Sequence, residues 1–205
     1  MDEQSLTPSV PAPVRHPLLR QLGSFTVAHF IYSFLVSHFT LLLASLPGLN
    51  LLELSPVLSY VVLLAYAAVL ILLYLPLGFL TGRSLRTPIT TPDDVLRATA
   101  LETGLAWLWA GAVIAGVFSS PETEPWLGWL AWLAMVSFLL AYPSSILVLM
   151  GLALTSAGTM MELNALGLWI FWAFWAGLLP PLLFNLGSLH ATRREAQREE
   201  RTADP

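Results

Sequence analysis

The sequence predicts an all-α, polytopic integral membrane helical bundle built from six hydrophobic elements. Three observations lead there. Only 11% of the 205 residues are charged and 56% are hydrophobic, against roughly 25% charged in soluble domains. The apolar residues come in runs long enough for the ~30 Å hydrocarbon core of a bilayer. The nine basic residues, all arginine, fall on one side of that bilayer when the runs are folded as six crossings, as the positive-inside rule favours.

Taken in order, residues 1–17 read as a mobile polar tail punctuated by Pro8, Pro11, Pro13 and Pro17. Its acidic start, Asp2-Glu3, lacks the basic region of a secretory signal, so the first apolar run is expected to be an uncleaved anchor. The transmembrane domain is expected over 18–189 and a charged tail over 190–205. The first span, about 22–46, is flanked by Arg15 and Arg20 and closed by Pro47-Gly48. Ser55-Pro56 offers an N-cap followed by proline at the first helical position, so a second span is expected over 57–80. Near its end Gly78 and Gly82 stand four apart, a small-residue pair that lets another helix approach closely.

Thr91-Pro92-Asp93-Asp94 is a second helix start, with two acidic residues at the positive end of the helix dipole. The third span is expected over 98–118 and is rich in glycine and alanine. The stretch 126–161 contains no charge. As one helix it would be about 54 Å long, too much for one crossing. It therefore either turns at Pro143, Ser144 and Ser145 into two spans, 126–142 and 144–161, or forms one kinked fourth span of five. Six elements leave Glu53, Glu122, Glu124 and Glu162 on the arginine-free side and both termini cytoplasmic; five split the arginines between the two sides. Six is the reading adopted, with the last span over 165–186, interrupted by Pro180-Pro181. The expected location is the cytoplasmic (inner) membrane.

Gly78-Phe79-Leu80-Thr81-Gly82-Arg83-Ser84-Leu85-Arg86 resembles, over nine residues, the loop between the second and third helices of major-facilitator transporters. It lacks that motif's acidic residue and closing basic pair, and six spans make half such a transporter. Positive-inside anchoring accounts for Arg83 and Arg86 without it, and both are candidate contacts for an anionic headgroup.

Several chemistries are excluded. The absence of cysteine removes disulfides, thiolate metal sites and thiol nucleophiles. No HExxH, G-x-S-x-G, P-loop or G-x-G-x-x-G pattern occurs. His29 and His38 are nine residues apart, half a turn out of phase and about 13.5 Å apart along a helix, so they do not share a haem or metal ion. No cofactor, metal or nucleic acid is expected. The partners expected are the lipid bilayer and other membrane subunits or a second copy of the chain.

Thr26, His29, Ser33, Ser37 and Thr40 repeat at intervals of 3, 4, 4 and 3, one polar stripe on a helix. It lines a hydrophilic path, or it holds the bundle by interhelical hydrogen bonds with His29 donating to a carbonyl. Glu102 is a candidate acid at the membrane edge, either a proton or cation site or an interfacial group paired with Arg97 or Arg86. Trp126, Trp129 and Trp132, like Trp169, Trp172 and Trp175, recur every third residue; Trp126 and Trp129 read as interfacial belt, while Trp172 and Trp175 lie deeper, where packing or contact with an apolar or cationic ligand is open. The scarcity of acid–base groups favours a non-catalytic membrane subunit or transporter-like bundle. The alternative is a membrane enzyme acting on lipid or an apolar substrate through His29 or Glu102.

Overall fold

The computed structural model describes residues 17–44, 56–85, 89–114, 129, 132 and 164–203. Among these, all regular structure is helical, in five elements: α1 (Pro17–Ala44), α2 (Pro56–Leu72), α3 (Tyr74–Leu85), α4 (Pro92–Ile114) and α5 (Asn164–Ala203). One continuous apolar stretch among them, Ala65–Leu85, is long and apolar enough to cross a membrane. The expected spans 126–142 and 144–161, with Pro143, Ser144 and Ser145, lie outside the described residues. Trp129 and Trp132 are the exceptions; both are exposed, with ring centroids 6.5 Å apart.

Local chemistry sets the boundaries. Three helices, α1, α2 and α4, begin on a proline, whose missing N–H costs nothing at a first helical position. The start of α4 is the predicted one. Thr91 Oγ1 accepts from the Asp94 N–H at 3.2 Å, and the Asp94 carboxylate accepts from the Thr91 N–H at 2.9 Å, a reciprocal capping box. Thr90 adds its N–H and hydroxyl to the same carboxylate oxygen. These bonds, the Thr91 hydroxyl foremost, hold the Asp94 carboxyl below its ordinary range, against a smaller opposing effect of burial.

The second predicted span is two helices meeting at Leu73. Pro76 has no N–H to give to the Leu72 carbonyl and its ring crowds that carbonyl. The neighbouring bonds survive: Leu73 N–H reaches Val69 and Leu77 N–H reaches Leu73, each at 3.1 Å. Helix α3 then runs to Leu85, through residues expected in the following loop. Its C-terminal carbonyl is capped by the Arg20 guanidinium, 2.7 Å from Leu85 O. Helix α5 passes through Pro180 and Pro181, where an interruption was expected, and continues across the charged tail to Ala203. Both prolines are fully buried, and packed neighbours support a helix there despite two lost backbone bonds. At 1.5 Å per residue α5 is about 60 Å long.

The closest packing joins α3 to α5. A Cβ on Gly78 would fall on the Phe184 backbone, one on Gly187 on the backbone of Leu75 and Phe79, and one on Gly82 within 2.9 Å of Ser188 Cα. The backbones themselves are in contact, as the Gly78–Gly82 spacing suggested. Around this contact sits one core of Phe25, Ala28, Tyr32, Val36, Ala67, Leu70, Ile71, Tyr74 and Phe184. A second, smaller core holds Ile89, Val95, Ala98 and Leu189.

The contacts also set direction. Gly78 meets Phe184 and Gly82 meets Ser188, so α3 and α5 run parallel. Arg20 meets Leu85, His29 meets Tyr74 and Tyr32 meets Leu70, so α1 runs against α2 and α3. Thr99 meets Asn185 and Trp107 meets Phe174, so α4 runs against α5. Arg20, Arg83, Arg97, Arg193, Arg194, Arg198 and Arg201 therefore gather at one end of the bundle.

Gly78→Ala and Gly187→Ala are expected to destabilise the bundle by about 1–3 kcal/mol each through overpacking. Gly104→Ala, where a Cβ meets nothing within 4 Å, is expected to stabilise by about 0.5–1 kcal/mol. Detergent-based unfolding followed by circular dichroism checks both signs. The depressed Asp94 carboxyl contributes stability that is complete above its unfolded-state value and is lost as pH falls through the lower folded-state value. Acid unfolding of Asp94→Asn is therefore expected to lose that part of the pH dependence.

Candidate functional site: a buried polar network

Helix α1 buries polar and apolar side chains together on one face and exposes large apolar side chains on the other. Gln21, Ser24 and His29 face inward with Phe25, Ala28, Tyr32 and Val36. Leu19, Val27, Phe30, Ile31, Phe34, Leu35 and Phe39 face outward, Phe30 with 62% of its surface exposed. Helix α4 buries Thr99, Glu102, Thr103 and Ala106, one face at helical spacing. Helix α5 adds Asn185 and Ser188, both fully buried.

These side chains meet in one network across three helices, with α3 contributing a carbonyl. Gln21 Nε2 donates to Asn185 Oδ1 and, at 3.5 Å, to Ser188 Oγ. Asn185 Nδ2 donates to Glu102 Oε2 at 2.8 Å and to Thr99 Oγ1 at 3.2 Å. Ser188 Oγ donates to Gly78 O at 3.2 Å. The donors thus run from Gln21 through Asn185 to Glu102. Three buried atoms are left without a hydrogen-bond partner among the described residues: Gln21 Oε1, Glu102 Oε1 and Thr103 Oγ1. Every one is an oxygen.

A second cluster lies further along α1. His29 Nδ1 is 2.6 Å from the Tyr74 hydroxyl and its Nε2 is 3.5 Å from Ser33 Oγ. Its ring lies against both Phe25 and Tyr74, centroids 5.5 and 6.0 Å away, and those two rings also meet each other at 6.2 Å. Tyr32 donates to the Leu70 carbonyl at 2.6 Å, and its ring meets Tyr74 edge-on. Each aromatic pair of this kind adds about 0.5–1.5 kcal/mol beyond its buried area.

The predicted stripe on α1 is thus only partly the inward face. His29 lies on it, with Tyr74 as partner rather than a backbone carbonyl. Thr26 is half-buried and donates to Leu22 O at 2.9 Å, and Ser33 is half-buried beside His29. Ser37 and Thr40 belong to α1, but their side chains are outside the described residues. His38 is exposed and binds Phe34 O at 2.8 Å. Glu102 is fully enclosed and bonded to Asn185, while Arg97 is exposed. Arg83 is exposed at the end of α3, and Arg86 is outside the described residues.

Gln21, Thr99, Asn185, Ser188 and Tyr74 were not singled out from sequence. A search for ionisable groups passes over amides and hydroxyls. The available signal was Asn185, an amide set among Leu182, Leu183, Phe184 and Leu186, where a lone polar group needs a partner on another helix. Among the described residues no three of His, Cys, Asp or Glu stand together as a metal site. The chain matches no protein-family model, no curated protein and no solved structure.

Asn185→Leu strands the Gln21 amide and the Glu102 oxygen, at about 1–3 kcal/mol per buried group left without a partner. Adding Gln21→Leu is expected to recover part of that loss. A double-mutant cycle should therefore give a coupling of about 0.5–3 kcal/mol; additivity would show that the two amides act separately.

Proposed function

We propose that this chain is an integral membrane bundle of six hydrophobic elements that works as a transporter-like unit or membrane subunit without catalysis of its own. The observation that carries this reading is the reversed polarity of the packing. Large apolar side chains cover the outside while Gln21, Glu102, Asn185 and Ser188 are fully enclosed. A surface of that kind costs little in lipid and much in water. Polar groups in lipid must be satisfied within the bundle, which places them where these are.

The helix directions support six elements over five. Helices α4 and α5 are antiparallel neighbours, so the connection 115–163 starts and finishes at the same end of the bundle. That fits an even number of crossings, such as two short helices turning at Pro143, Ser144 and Ser145. A single kinked crossing would make α5 antiparallel to α3. The gathering of arginines at one end fits both termini on the cytoplasmic side of an inner membrane. The closed setting of His29, buried against the Phe25 and Tyr74 rings with the Tyr74 hydroxyl on its Nδ1, weighs against its use as a base on lipid.

The absence of cysteine makes single introduced thiols a clean probe. Thr202→Cys and Ser144→Cys are expected to react with an impermeant maleimide only after the cells are opened, and Ser55→Cys in intact cells. Labelling of Thr202→Cys from outside would overturn the six-element reading.

A further inference from the structure

We propose that Glu102 is a proton-binding site, loaded and unloaded at Oε1 inside the bundle. This rests on the membrane reading above and names the ligand of its polar interior. The geometry has three parts. Glu102 is fully buried, and its one hydrogen bond among the described residues is to Oε2, from Asn185. Asn185 Oδ1 accepts from the Gln21 amide, which turns Asn185 Nδ2 toward Glu102. Among the described residues Oε1 has no donor, and neither do Gln21 Oε1 and Thr103 Oγ1.

A buried carboxylate oxygen without a donor needs a proton or a cation. A hard metal cation takes about six or more oxygen ligands, and three unpartnered oxygens on tightly packed helices fall short of that. A proton needs one. Binding forms an O–H bond at Oε1 with a proton taken from water, and turns the carboxylate into a neutral acid. Release returns the proton to water and restores the charge. Asn185 is the positioning residue: it holds Oε2 in both states and leaves Oε1 as the atom that changes.

Among the described residues, the other titratable and charged groups on the packed helices are engaged elsewhere or exposed. On α1, Arg20 donates to Leu85 O and His29 pairs with Tyr74 of α3 and with Ser33. On α5, the exposed His190 and Arg194 both lie against Phe79. On α4, Arg97 is exposed and Asp94 is held by Thr90 and Thr91. None supplies the missing donor at Oε1.

The test is pH-difference infrared spectroscopy of the full chain in phospholipid vesicles, read in the carbonyl band of the protonated carboxyl. Glu102→Gln serves as the blank, and Glu102→Asp, which keeps a carboxyl but shifts its band, serves if the amide variant does not fold. The expected result is a band that moves in heavy water and falls about tenfold per pH unit above its midpoint. It should be absent in Glu102→Gln, displaced in Glu102→Asp, and insensitive to sodium chloride at constant pH. A band that is missing or unchanged at every pH overturns the proposal. So does a band bleached by sodium, which would make the ligand a metal cation. The same vesicles are washed with alkaline carbonate. A chain that leaves the membrane overturns the membrane reading; a chain that stays, with an invariant band, overturns the proton site alone.

Discussion

The contact on which the rest of the structure depends is the meeting of two backbones, α3 at Gly78 and Gly82 with α5 at Phe184, Gly187 and Ser188. Without side chains in the way, the helices pack closer than larger residues allow, and van der Waals contact then sets their register. That register has chemical consequences. Ser188 comes within reach of the Gly78 carbonyl, which closes the α3 side. Asn185, three residues earlier and one face round, is left facing α1 and α4, where Gln21, Thr99 and Glu102 meet it. A shift of one residue along α5 would remove all of these partners together.

The polar interior and the apolar exterior are two sides of one constraint. In water, Gln21 and Asn185 would gain little from each other, because solvent serves both. Enclosed among apolar helices, each depends on the other, and an amide with both a donor and an acceptor suits a position between two helices. The prolines follow the same logic. Pro76 separates α2 from α3 at Leu73, whereas α5 carries Pro180 and Pro181 without stopping. Burial of both rings against neighbouring helices supplies support that a peripheral helix would lack.

Local features of this chain were readable before any packing was known. The start of α4 at Thr91-Pro92, with Asp94 in the capping box, depends on residues a few positions apart. The close-approach role of Gly78 and Gly82 follows from size and spacing. The stripe on α1 was less legible. Periodicity placed Thr26, His29, Ser33, Ser37 and Thr40 together, but the inward face runs through Gln21, Ser24, Phe25, Ala28, His29, Tyr32 and Val36. Aromatic and aliphatic residues face inward as readily as hydroxyls when the neighbours are helices, so polarity alone does not mark the whole of that face.

By itself, then, the sequence determined the helical class, most helix starts, the exclusion of thiol chemistry and the placement of its arginines near helix ends. Those properties are set by composition and by neighbours within one or two turns. Only the tertiary structure decided that α3 and α5 run parallel, that His29 pairs with Tyr74, and that Gln21, Asn185 and Glu102 join in one network. Such contacts depend on the rotation and register of whole helices, which are fixed where backbones touch, far along the chain from the residues they bring together.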